Sequence, residues 1–345
     1  MIIVSIQSIH LKNFIVFKNF KVDFSSGINI FIGKNGTGKT QLLKTIYAIG
    51  MEEDNENKAG FCKYFKDDKI GEIFNDKSKK EAKASLMINE NDDKISVIIK
   101  KFEDGYKIHS KYNKLVVSNI KPLINTTKLK VVYIPVKDML THSKGLPEMA
   151  ERYGYKNFPF DKTLVDIVIK ARQWKLKEAP ELAQSILPKL EEIIDGKVII
   201  ENEEFYIQKN DGRKVNFYFE AEGLKKIGLI WQLLMNESIT KDSILIWDEP
   251  EANMNPNFLE TIVECLLELS RQGVQIFIST HNYIFSQYFD IKRQENDNVL
   301  FHALYRIKNS DIKLESNTYF DKIKNNDITK TFNKLLDEVY EFIGD

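Results

Sequence analysis

Cysteine is nearly absent from this 345-residue chain. Cys62 and Cys265 stand far apart and fit neither a disulfide framework nor a zinc-ligand spacing. That usage suits a reducing compartment. No apolar run approaches the ~18 residues of a membrane span. The opening MIIVSIQSIHLKNF lacks the long apolar core and small-residue cleavage site of a signal peptide, so a cytoplasmic address away from membranes is expected. Net charge is missing as well: 50 basic residues balance 50 acidic ones. No global field recruits nucleic acid, and only a local basic patch could do so. Internal repeats and low-complexity linkers do not occur. What is present is apolar substance, 43% of the residues, enough for one large or two ordinary domains with a sizeable core.

Along the chain, Phe20, Val22 and Phe24 alternate before a Ser25-Ser26-Gly27 turn. INIFI then reads as a buried strand ending at Gly33. After Thr40, apolar Leu42, Leu43, Ile46 and Tyr47 with Gly50 as C-cap predict a helix. Residues 51–85, charged and irregular, read as a solvated surface segment. ASLMI and KISVIIKKF predict strands, and LKVVYIPVKDML predicts a buried strand ending at Pro135. From 136 to 196 the pattern is helical. KVIIENEEFYIQ and KVNFYFE then flank KNDGR, a hairpin by turn chemistry. GLKKIGLIWQLLM has helical spacing. SILIW and VQIFIST read as strands separated by a helix, with Asn255 as its N-cap, Pro256 at N1 and Gly273 at its end. ITKTFNKLLDEVYEFIG closes the chain as an amphipathic helix.

The chemistry begins at Gly33-Lys34-Asn35-Gly36-Thr37-Gly38-Lys39-Thr40, which fits GxxxxGK[ST] in full, between a predicted strand and a predicted helix. Glycines let successive N–H groups point inward at phosphate oxygens, and the helix that follows adds the positive end of its dipole. Lys39 would reach the β- and γ-phosphates, and the Thr40 hydroxyl would bind Mg²⁺. A phosphate loop needs an acid at the end of a neighbouring strand, and SILIWDEPEANMNP supplies Asp248 for the metal. Glu249 beside it suits the attacking water, as base or orienter. IFISTHN runs a third strand into His281, placed to hydrogen-bond the γ-phosphate.

These three pieces together resemble the ABC-type ATPase superfamily, and within it the SMC/RecF/OLD branch. The stretch from Ile9 to Gly50 is similar to that branch's N-terminal lobe, IWDEPEANMNP to its Walker B and D-loop, and ISTHN to its switch histidine. The resemblance implies an α/β P-loop fold with an N-terminal antiparallel lobe and a mainly parallel central sheet. It implies ATP and Mg²⁺ as cofactors, with Gln41 joining the loop in holding nucleotide. It also implies a signature segment that meets the nucleotide of a partner subunit. FEAEGLKKIGLI fits, with Glu222 and Gly223 at a helix N-terminus, and Asn253 falls in the D-loop near the dimer seam. The metal-sensing position after VVYIP is assigned to Asp138, although the family's glutamine is missing there. IPVKDMLTHSKGL is similar to a segment of small stand-alone ATPases of bacteria and phages.

Absences narrow the choice. The helical insertion at 136–196 lacks the sustained heptads of SMC coiled coils. The 64 residues after His281 lack the glutamate and DxD array of an OLD nuclease, and no HxxE, HNH-like or Cys/His cluster occurs anywhere. The expectation is one ABC-type ATPase domain over 1–345, with the insertion at 136–196 and C-terminal strand and helices over 296–345. Two copies would close around ATP·Mg²⁺, as a switch working with a separate effector such as an anti-phage nuclease. The rival expectations are a RecF-like ATPase that clamps DNA itself, and a slow ATP sensor. RQWKLK, with Trp174 among Arg172, Lys175 and Lys177, and the last helix are the candidate partner contacts.

Overall fold

A computed structural model describes residues 5–51, 60–65, 67–88, 93–103, 105–113, 129–307 and 311–344. Strands β1 (Ile6–Phe14) and β2 (Phe17–Asp23) form a hairpin, and β3 (Ile28–Ile32) leads into helix α1 (Lys39–Gly50). β4 (Glu81–Ile88), β5 (Asp93–Phe102) and β6 (Gly105–Asn113) extend the hairpin into an antiparallel sheet of order β2-β1-β4-β5-β6. After β7 (Val131–Ile134) come helices α2 (Leu146–Asn157), α3 (Lys162–Ala171) and α4 (Leu187–Ile194). A small sheet of β8 (Gly196–Glu201), β9 (Glu204–Lys209) and β10 (Lys214–Asn216) follows. Helix and strand then alternate through α5 (Glu222–Met235), β11 (Ile244–Asp248), α6 (Leu259–Arg271), β12 (Gln275–Ser279) and α7 (Tyr283–Lys292). β13 (Val299–Tyr305), β14 (Lys313–Asn317) and α8 (Asp327–Gly344) end the chain. The central sheet runs β14-β13-β3-β12-β11-β7, parallel throughout except at β14. No helix among the described residues is long and apolar enough to cross a membrane.

Every residue of INIFI is buried, as a central parallel strand covered on both faces requires. Its alternation divides the interior in two. Ile28, Ile30 and Ile32 join the helices α3 to α7 in one core, while Phe31 faces α1 and the antiparallel sheet in the other. Asn29, with no exposure at all, exchanges hydrogen bonds with the Ser25 backbone, so its burial leaves no polar atom stranded.

Several local expectations are corrected. Among residues 51–85, Phe61, Cys62, Tyr64 and Ile73 are buried in short 3₁₀ turns and Phe74 in a bridge to Phe14, so this part of the segment is core and not solvated surface; residues 52–59 and 66 lie outside the described residues. KVIIENEEFYIQ does not run as one strand. It turns back at Asn202 and Glu203, whose φ values of 50° and 68° make a two-residue hairpin without the usual glycine. Residues Phe217–Phe219 form a 3₁₀ turn capped by the Asn216 side chain. Gly50 is the last residue of α1 and not a left-handed cap; a Cβ there would lie 2.9 Å from Val131 Cγ2, so close packing against β7 explains it. Asn255 caps a 3₁₀ turn, Pro256–Phe258, that precedes α6.

Candidate nucleotide site

The central sheet puts three functional segments at its carboxyl ends, where α/β sheets hold ligands. Asp248 at the end of β11 is in register with Ser279 at the end of β12, and Ser279 with Phe31 of β3. The loop after β3 curls tightly. Gly33 (φ 141°) passes so close to β13 that a Cβ would lie 2.2 Å from the Leu304 carbonyl oxygen, and Gly38 (φ 93°) lies under the β1–β2 turn, with Val16 Cγ2 2.5 Å from where a Cβ would stand. Gly38 caps α1 without a side-chain hydrogen bond, which leaves first-turn N–H groups for a ligand. Thr37 is buried and its hydroxyl donates to the Lys34 carbonyl. Lys34, Asn35, Gly36 and Thr40 are exposed and Gln41 is half-buried.

Lys39 is only 5% exposed, and its ammonium donates to the carbonyls of Gly33 at 2.7 Å and Lys34 at 3.3 Å. Burial brings its pKa down to about 8, against the opposing pull of Glu249, Asp248 and Glu251. Thr40 Oγ1 donates to Asp248 Oδ1 at 3.2 Å, joining the loop to β11. Asp248 is buried and also accepts from the Ser279 hydroxyl and from Tyr133 OH at 3.3 Å. Burial pushes its carboxyl upward, and these hydrogen bonds pull it back. Glu249 Oε1 lies 3.3 Å from His281 Nε2. Burial, then the Lys39 ammonium, hold that imidazole below its ordinary value, so the ring is neutral at pH 7. A hydroxyl beside a carboxylate at the mouth of a phosphate loop is a donor set that suits Mg²⁺, which takes one or two protein oxygens and fills the rest of its shell with phosphate and water.

A second cluster joins Glu222, Gly223 and Asn253. A Cβ on Gly223 would lie 2.9 Å from the Asn253 carbonyl oxygen, so the helix start packs on the loop after β11. Glu222 and Asn253 are exposed. Asp138 is not brought to Thr40 and Asp248. Its carboxylate accepts from the N–H of Leu140 at 2.9 Å, the N–H of Thr141 at 3.3 Å and the Thr141 hydroxyl, and it lies 3.9 Å from Lys225 Nζ. Its oxygens close its own turn.

Four residues escaped the sequence reading: Tyr133, Ser279, Glu251 and Lys226. Tyr133 and Ser279 sit near the ends of predicted buried strands, and a polar atom at such a place was the available signal. Glu251 accepts from the Thr280 hydroxyl at 2.6 Å and the His281 N–H at 3.1 Å, tying the turn after β11 to the segment after β12.

Residues 141–286 match the family model described as "AAA domain, putative AbiEii toxin, Type IV TA system". The chain is similar to the DNA replication and repair protein RecF of Oenococcus oeni, 42% identical over 52 residues, 15% of this chain and 14% of that protein. RecF of Streptococcus gordonii is 33% identical over 54 residues, 16% of this chain and 15% of its own length. The chain thus covers only a small part of these curated relatives. The Smc head domain of Pyrococcus furiosus, solved bound to the C-terminal domain of ScpA, superposes with a TM-score of 0.55 at 13% identity, covering 97% of this chain and 99% of that one. An SmcHead bound to the C-winged helix domain of ScpA gives 0.56 at 14% identity, covering 92% and 98%. At such identities the likeness is one of fold. The chain is thus similar to RecF over a short stretch and to Smc head domains in fold, the P-loop fold of the ABC-type ATPases.

Proposed function

We propose that the chain binds ATP·Mg²⁺ in Gly33–Gln41, hydrolyses it, and cycles between open and dimeric states as a cytoplasmic switch for a separate effector. The observation that carries this reading is the convergence of Lys39, Thr40, Asp248, Glu249 and His281 at the carboxyl ends of β3, β11 and β12. Loop N–H groups and the Lys39 ammonium bind and orient the triphosphate. Thr40 and Asp248 would hold the metal, which would supply charge neutralisation on the phosphate oxygens. Glu249 orients the attacking water and takes its proton, and the neutral His281 steadies that carboxylate. Glu222, Gly223 and Asn253 offer their end of the molecule to a second copy. Surface left over for an effector includes Trp174, 97% exposed, and the outer face of α8, where Tyr340, Phe342 and Ile343 are 71%, 85% and 73% exposed. The Smc heads above were solved holding a domain of another protein, which supports an effector partner here. Purified protein should release phosphate from ATP only with a divalent cation, and ATP should raise its mass by light scattering. Protein that neither binds nor turns over ATP would overturn the reading.

One observation favours direct DNA contact as a second reading. The solvent face of the antiparallel sheet carries Lys12, Lys83, Lys94, Lys100, Lys107 and Lys111, on the side opposite the buried Leu11, Ala84, Val97 and Ile99. Lys12 stands directly opposite Lys83, and Lys100 opposite Lys107, an arrangement that weakens a sheet unless anions arrive from outside. Phe102, 44% exposed on this face, already has Lys107 Nζ 5.0 Å from its ring, and a single ring gives little stacking surface for single strands, so a duplex backbone suits the face better. Fluorescence anisotropy should show duplex binding that weakens steeply with salt, its slope falling by ~1 for each lysine replaced by Glu. Duplex binding absent from the wild type would dispose of this second reading.

A further inference from the structure

Glu249 holds a backbone conformation that glutamate seldom adopts. Its φ is 48°, and the next residue is Pro250, whose ring crowds helical conformations at the residue before it. Such a conformation persists only where its surroundings over-determine it. Two restraints come from the neighbouring strand and the turn itself: the Glu249 N–H donates to the Ser279 carbonyl at 3.1 Å, and its own carbonyl accepts from the Ala252 N–H at 3.1 Å. The third comes from a distant helix. Lys226 Nζ, on α5, donates to that same carbonyl at 2.9 Å.

Lys226 is only 5% exposed, and burial holds its pKa below the ordinary lysine value. Its neighbour Lys225 is buried too, but it has carboxylate partners in Glu222 at 2.9 Å and Asp138 at 3.9 Å. Among the described residues Lys226 makes no ion pair, and its hydrogen bond goes to a backbone carbonyl. The charges of Glu251, Glu249, Asp248 and Glu222 favour its ammonium from beyond ion-pair distance, but an apolar side chain of the same length would pack there without desolvating a charge. What the amine does hold is the peptide of the residue that faces the reaction.

We propose that Lys226 is a positioning residue for hydrolysis: from α5 it pins the Glu249 peptide in its left-handed turn and so keeps the carboxylate aimed beside His281. The proposal rests on the hydrolysis reading above and deepens it. It also makes α5 a rigid coupling. Gly223 packs against Asn253 and Lys226 grips Glu249, so a shift of the helix start by a partner's nucleotide moves the Glu249 carbonyl with it.

The test compares Lys226→Met and Lys226→Arg with wild type in ATP turnover, fluorescent-nucleotide binding and thermal melting. Lys226→Met should lower kcat by ~10-fold or more while KM and nucleotide affinity stay within about two-fold, and Lys226→Arg, which keeps a donor, should recover a good part of kcat. Unchanged kcat in Lys226→Met overturns the proposal. So does a parallel loss of kcat and affinity, or a Lys226→Arg that recovers nothing. If Lys226→Met does not fold, Lys226→Gln, which keeps an N–H but falls short of the carbonyl, is judged by the same criteria. Glu249→Gln run alongside separates the two levels: a fully active Glu249→Gln sinks the hydrolysis reading itself, whereas an inactive one beside a fully active Lys226→Met sinks only this inference.

Discussion

Glu249→Gln is expected to bind nucleotide as the wild type does and to turn it over ~10²-fold or more slowly, the scale of losing a general base. The substitution keeps shape and volume, so the left-handed turn at φ 48° and the backbone bonds from Ser279, Ala252 and Lys226 survive. The amide no longer accepts a proton from water, and its contact with His281 Nε2, now 3.3 Å, becomes an ordinary neutral hydrogen bond. With chemistry stalled, the ATP-bound form should accumulate as a dimer. Single-turnover phosphate release, nucleotide fluorescence and light scattering read these three consequences separately. Wild-type turnover in the variant would remove Glu249 from the mechanism.

The second large effect belongs to Lys39. Its ammonium is already seated on the carbonyls of Gly33 and Lys34 before any ligand arrives. Nucleotide must therefore draw it off them, and Lys39→Ala should weaken binding by ~10- to 100-fold, the value of a charge-assisted hydrogen bond of about 1.5–3 kcal/mol. The depressed pKa, about 8 against an ordinary 10.5, adds a pH signature. Phosphate favours the charged amine, so affinity should be flat below about pH 8 and fall by up to ~10-fold per unit above it, as binding must take up a proton. Stability without nucleotide moves the other way. Between about pH 8 and 10.5 the unfolded chain holds this proton and the folded chain does not, so the contribution of this group rises with pH. Nucleotide titrations at pH 7 and pH 9.5 check the first sign, and Lys39→Ala should abolish the difference between them.

Why the phosphate loop is legible and much of its surroundings is not follows from how each is built. Gly33 and Gly38 are required locally by positive φ, besides the distant neighbours that leave no room for a Cβ, and the local demand is written at fixed spacing in the chain. Asp248 and Glu249 follow an unmistakable buried strand. Tyr133 and Ser279 matter only because β7 and β12 flank β11 in register, and a pairing order is invisible in any one segment. Phe61 and Tyr64 lie among charges, so the local composition predicts solvent although the fold covers them. Asp138 shows how local partners enter. Its position after a strand suggested metal, while the adjacent Leu140 and Thr141 N–H groups capture its oxygens. Asn202 and Glu203 turn the chain without glycine, and no propensity announces that.

The order of strands in the central sheet bears on how the protein is made. β3 lies between β12 and β13, so its two neighbours leave the ribosome only after most of the chain. Thr40 and its partner Asp248 are 208 positions apart, a delay of roughly 10–40 s at ordinary synthesis rates. Through that interval the nascent chain presents INIFI with both hydrogen-bonding edges bare, which is the template that promiscuous strand pairing seeks. The antiparallel sheet, local in sequence, is available early and covers the Phe31 face, but nothing early covers the edges. Translation therefore leaves the strand that leads into the glycine loop unpaired for longer than the strands of the antiparallel sheet.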